Sequence, residues 1–160
     1  MNPFYTDLMD RFHELHSDIE KALDTLPAEA LDWKPGAEMN SASVLITHLS
    51  GAERFLVGDI VRGESSQRDR QAEFHAESVG KEALRQRLHE TEAYTRSALE
   101  TLSLTDLEAQ RKHPRDGHQL SVGWALLHAL EHVATHAGHL DITVQLWQQR
   151  QTGGKRKEKD

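Results

Sequence analysis

Four blocks of this chain carry apolar residues at steps of three and four, a period that fits amphipathic helices and little else. The first runs from about Asn2 to Leu26, with Phe4, Leu8, Phe12, Leu15, Ile19 and Leu23 on one stripe and Pro27 ending it. The second opens at Ser41, a residue type suited to an N-cap. It carries Leu45, Leu49, Ala52, Leu56 and Ile60 and closes at Gly63. The third spans about Lys81 to Leu102, with Leu84, Leu88, Ala98, Leu99 and Leu102 inward. The fourth runs from Ser121, again a cap candidate, to Arg150. No alternating strand pattern of useful length interrupts them, and no repeat appears. The expectation is an all-α four-helix bundle formed by residues 1–150 as one domain, with a disordered tail over 151–160 that includes GGKRKEKD.

The connections, roughly 27–40, 64–80 and 103–120, are longer than simple up-down bundles need. A connection of about 14 residues extends up to ~45 Å, enough to run back along a helix of ~34 Å. At least one crossover is therefore allowed, and with it parallel neighbours.

Composition removes several function classes. The 19 basic and 26 acidic residues leave a net charge of −7, which argues against nonspecific nucleic-acid binding. No apolar run approaches a membrane span, and MNPFYTDLMDRFHEL lacks the apolar core of a signal peptide, so the expected location is cytoplasmic. There is no cysteine, which excludes disulfides, thiolate ligands and a cysteine nucleophile. Any thiol chemistry must bring its thiol on a small molecule.

The segment HALEHVATHAGHLD holds four of the eleven histidines, at 128, 132, 136 and 139. On a helix these lie within a stripe roughly 80° wide. His132 and His136, at i and i+4, point the same way with Cβ atoms about 6 Å apart. Two such imidazoles can converge on one metal ion, and His48, on the apolar face of the second helix, is the candidate third ligand. Three protein ligands with an open fourth place is the plan of a catalytic site rather than a structural one. The depths agree if the second and fourth helices are antiparallel. His48 then lies ~23 Å from the end of its helix and the pair ~20 Å from the start of theirs. The plain alternative is a core histidine at 48 and a polar seam on the last helix. His128 and His139 flank the pair as alternative-ligand, ligand-orienting or substrate-contacting candidates, or as rim residues. Histidines 13, 16, 75, 89, 113 and 118 read as surface or loop residues. Trp33, Trp124 and Trp147 read as core or as pocket wall.

Other metal plans do not fit. No glutamate has a histidine three residues later, as di-iron bundles require. Val133, Ala134 and Thr135 supply no base of the zincin kind. No Ser-His-Asp order or Gly-rich phosphate loop stands out either.

LDWKPGAEMNSASVLITHLSGAERF (31–55) and EHVATHAGHLD (131–141), with the overall length and four-helix layout, resemble the DinB/YfiT-like metalloenzyme superfamily. The first looks like that family's Trp-Lys/Arg-Pro stretch before a helix bearing one histidine, the second like its histidine pair. The resemblance implies an up-down-down-up bundle, metal ligands at His48, His132 and His136, and zinc or nickel as the ion. Members of the superfamily include bacillithiol transferases and the mycothiol-dependent maleylpyruvate isomerase, and several are dimers. One departure stands out: many relatives carry Arg-Gly-Gln after the last ligand, where this chain has Ala137-Gly138-His139.

The expected function is a divalent-metal-dependent transferase that activates a low-molecular-weight thiol toward a small-molecule electrophile, in a homodimer. Metal-dependent hydrolysis is the close alternative. A non-enzymatic dimeric metal-binding module in stress or regulation is the other.

Overall fold

The computed structural model describes the backbone of residues 1–157 and the side chains of residues 1–152. Four long helices form the body. Helix α1 (Pro3–Thr25) starts where the Asn2 side chain accepts the Phe4 N–H at 3.0 Å, with proline at its first position. Helix α2 (Ala42–Phe55) is capped by Ser41, whose hydroxyl accepts the Val44 N–H at 3.3 Å. It continues as a π-helical segment, Leu56–Arg62, until Gly63 turns the chain at φ 70°. A one-turn helix, α3 (Arg70–Glu73), follows Asp69 as its cap. Then come α4 (Lys81–Glu100), a hairpin of β1 (Gln110–Lys112) and β2 (Gln119–Ser121), and α5 (Val122–Lys157). The Ser121 hydroxyl accepts the Trp124 N–H at 3.0 Å at the start of α5.

Cross-helix pairs fix the directions. Glu20 meets His89 and Asp24 meets Arg85, so α1 and α4 are antiparallel. Glu53 meets Thr95 and Arg62, further along, meets Ser97, so α2 and α4 run the same way. Leu45 shares a cavity with Ile142 and Thr143, whereas Phe55 and Leu56 share another with Trp124 and His128, so α2 and α5 are antiparallel. The course is up-down-down-up, as expected. The crossover is the 64–80 connection, which must climb back along α2 before α4 can descend. Helices α4 and α5 each pack on both α1 and α2.

The apolar stripes meet in one core that includes Leu8, Phe12, Ile19, Leu23, Leu45, Leu49, Ile60, Leu84, Leu88 and Leu99. Phe4 departs from the expected stripe and stays 42% exposed; Tyr5 is buried instead, its hydroxyl donating to the Ser103 carbonyl at 2.8 Å. Between Leu88 and Ala98 the buried residues of α4 are the threonines Thr91 and Thr95. There Thr95 donates to buried Glu53 at 2.6 Å, and Glu53 meets His16 Nε2 at 2.8 Å. His16 therefore corrects the sequence reading: it is 1% exposed, the centre of a polar network, not a surface residue.

The hairpin was not expected, because strands of three residues are too short to show alternation. Helix α5 continues past the expected end at Arg150 to Lys157, so most of the expected tail is helical; residues 158–160 lie outside the described residues. No helix among the described residues is long and apolar enough to cross a membrane.

Candidate metal centre

The antiparallel packing of α2 on α5 puts His48, His132 and His136 at one level. Their ring centroids are 5.0 Å (48–132), 4.9 Å (48–136) and 4.4 Å (132–136) apart. One ring nitrogen from each lies within 4.8 Å of the other two. Ligands on one ion at 2.0–2.1 Å sit at most ~4.2 Å apart, so the cluster is close to a coordinating arrangement. His48 is 5% exposed, and Phe74 covers its ring at 4.6 Å between centroids.

The crossover supplies what the helices do not. His48 Nδ1 lies 2.9 Å from Glu73 Oε2, a contact that fixes Nδ1–H as the donor and leaves Nε2 with its lone pair. Arg68 grips the same carboxylate with two hydrogen bonds, Nε to Oε1 at 2.6 Å and Nη2 to Oε2 at 2.7 Å. Burial pushes the Glu73 carboxyl up, but Arg68 and His48 outweigh it and hold the group below the usual carboxylate range. Gly51 on α2 leaves the room the carboxylate occupies: a Cβ there would run into Glu73 Oε1, and the carboxylate would have to shift. Sequence reasoning missed Glu73 and Arg68. Their position depends on the path of a connection without periodicity, so no local signal points to them.

Burial, then the neighbouring imidazoles, lowers the pKa of His132 to about 3 and of His136 to about 4. Both rings are thus neutral at pH 7, the state a metal ligand requires. Buried Nδ1 of His132 has no hydrogen-bond partner. A cluster of neutral nitrogen donors with an unpartnered buried atom suits a divalent cation of borderline softness.

The flanking histidines take different places. His139 Nδ1 lies 3.4 Å from His136 Nδ1, near enough to orient that ring. His128 stands one turn from His132, with its ring centroid 6.2 Å away, and stacks against Trp124 at 4.7 Å. It belongs to a wall beside the cluster. Trp33 and Trp147 pack edge-to-face on each other at 5.3 Å, so only Trp124 of the three tryptophans borders the site.

That wall closes a cavity of about 220 Å³ reaching His48 and His132, also lined by Phe55, Arg68, Arg70 and Arg115. His113 and His118, read from sequence as surface or loop residues, line it too, held by Asp116 Oδ1 at 3.1 and 2.6 Å at the tip of the hairpin.

Solved structures share this architecture at low identity. YfiT from Bacillus subtilis, described as a probable metal-dependent hydrolase with an unusual four-helix bundle topology, matches with a TM-score of 0.73 and 14% identity over 91% of this chain and 88% of its own. The DinB-like protein YjoA of Bacillus subtilis matches with a TM-score of 0.69 and 19% identity over 87% and 90%. The mycothiol-dependent maleylpyruvate isomerase matches with a TM-score of 0.65 and 16% identity over 85% of this chain but 60% of its own. None of the curated proteins matches the chain in sequence. The fold is that of the DinB/YfiT-like superfamily, and the model of the family described as "protein of unknown function (DUF1572)" matches residues 1–152, so the chain belongs to the DUF1572 family.

Proposed function

We propose that this protein is a divalent-metal-dependent enzyme in which His48, His132 and His136 hold zinc or nickel, and that it activates a low-molecular-weight thiol against a small electrophile. The observation that carries the reading is the convergence of three imidazoles from two antiparallel helices beside a cavity, with one of them locked by a buried carboxylate. An ion held by three neutral ligands keeps its charge and supplies Lewis acidity that lowers the pKa of a thiol or water placed against it.

The chain's own residues do the rest. Glu73 and Arg68 fix the tautomer and the orientation of His48. His139 orients His136, and the Trp124–His128 stack forms part of the cavity wall. With no cysteine in the chain, a nucleophilic sulfur has to arrive on a co-substrate. The mycothiol dependence of one structural relative supports that choice. The description of YfiT favours hydrolysis by the same cluster as the second reading.

Elemental analysis of freshly purified protein, followed by assay with a panel of small thiols and a chromogenic electrophile, tests both. The expected result is about one divalent ion per chain and turnover that needs both ion and thiol. Turnover that needs the ion but no thiol selects hydrolysis. Metal-free protein that takes up no zinc or nickel overturns the enzyme reading. His136→Ala is expected to abolish metal retention while leaving the helical circular dichroism intact, because the ring is part of the cluster and not of the apolar core.

A further inference from the structure

We propose that the substrate side of this site is built for a small organic anion, with Arg115 and Arg70 holding the anionic group and Trp124 carrying its flat body. The inference rests on the proposed function for the site's role, but its own support is the cavity wall. Three arginines line the cavity and no carboxylate does, in a chain whose net charge is −7. Their duties differ. Arg68 is committed to Glu73 through two short hydrogen bonds. Arg70 and Arg115 form no ion pair among the described residues. Their guanidinium carbons lie 4.9 Å and 5.4 Å from the ring centroids of Phe74 and Phe55.

Stacking of that kind steadies the guanidinium plane while leaving its edge N–H groups available. A planar fork with free donors is the arrangement that recognises carboxylate, phosphate or sulfonate oxygens. The two arginines come from separate connections, one from the crossover and one from the hairpin tip, yet they border the same cavity as His48 and His132. An anion held there lies in the cavity that His48 and His132 also border.

Another part of the lining is aromatic. Trp124 is 47% exposed and lies nearly parallel to His128, at 28°. An exposed tryptophan beside a cationic cavity offers a face for a planar group. The volume, about 220 Å³, equals the liquid volume of about seven waters, which limits the ligand to a small molecule or to one end of a larger one.

The test is calorimetric titration of the full chain, zinc-loaded and metal-free, with benzoate, phenylphosphate and benzenesulfonate as probes and benzamide as the uncharged match for benzoate. Wild type is compared with Arg70→Gln, Arg115→Gln and the double variant, with zinc content per chain measured for each. At least one anion is expected to bind, and benzamide to bind at least roughly tenfold more weakly than benzoate. The double variant is expected to lose roughly tenfold or more in anion affinity while keeping its zinc. Anion affinity that is unchanged in the double variant overturns the proposal, because the ion alone then holds the anion. Equal affinity for benzoate and benzamide overturns it too, as does absence of binding by all three anions at millimolar concentration. If the chain takes up no zinc, the metal reading fails on its own measurement. The arginine dependence in the metal-free titration still decides this one.

Discussion

An imidazole that binds a metal presents one nitrogen, and the partner on the far nitrogen decides which. At His48 that partner is Glu73, 2.9 Å from Nδ1 and itself gripped by Arg68. Glu73→Gln keeps the size and a hydrogen-bonding oxygen but removes the charge that makes His48 Nε2 a strong donor. Zinc affinity is expected to fall roughly 10- to 100-fold, measured by competition with a chromogenic chelator, with the fold unchanged by circular dichroism. The three imidazoles were legible in the sequence because spacing within a helix is geometry: His132 and His136 must share a face, and the apolar stripe of α2 places His48 inward. Glu73 was not legible, because nothing in QRDRQAEF says which helix the crossover will lie against. His16 was misread for a related reason. A polar residue inside an otherwise apolar stripe looks like an edge position until its partner, Glu53 on another helix, is known.

At the scale of the element, the crossover is the part that turns a bundle into a site. Two helices running the same way need a connection that climbs the length between them, and this one climbs along α2 past His48. Its approach is set by Gly51, where a Cβ would meet the Glu73 carboxylate. Helix propensity alone favours alanine over glycine by about 1 kcal/mol. Gly51→Ala therefore separates two effects: α2 gains propensity while the Glu73 carboxylate is displaced from its place beside His48. Zinc affinity is expected to drop to about the level of Glu73→Gln, and the double variant to be no weaker than either single one, since both act through one contact. Strictly additive losses measured by the same chelator competition would place the effect of Gly51 elsewhere. The helices and their caps at Ser41 and Ser121 were readable because capping chemistry is local. The hairpin was not: its two strands carry only a few residues each, and their pairing depends on the turn that brings His113 and His118 together.

For the whole molecule, buried His16 and the half-buried pair His132 and His136 pull stability in opposite directions with pH. Burial alone would lower the pKa of His16, but Glu53 and Glu92 outweigh it and raise the pKa to about 9. Between its ordinary value of 6.5 and about 9 the folded chain holds a proton the unfolded chain has lost, so stability falls as pH rises through that window. His132 and His136, lowered to about 3 and about 4 mainly by burial, behave in reverse. Below 6.5 the unfolded chain gains protons that the folded one refuses, so stability falls as pH falls. Glu92 adds to this acid limb. Hydrogen bonding to His16 is the first cause of its lowering to about 2, so its contribution is lost as pH drops from about 4.5 toward that value. The metal-free protein should therefore be most stable near pH 6.5, read as the highest urea midpoint in a series from pH 4 to pH 9.5. His16→Gln tests the assignment, because glutamine can still donate to Glu53 but does not titrate. It is expected to cost about 3 kcal/mol near neutrality, the low end for breaking a buried pair, and to flatten the alkaline limb while leaving in place the part of the acid limb between pH 6.5 and about 4.5 that His132 and His136 set. An alkaline limb that keeps its slope in this variant would show that the buried network does not govern it.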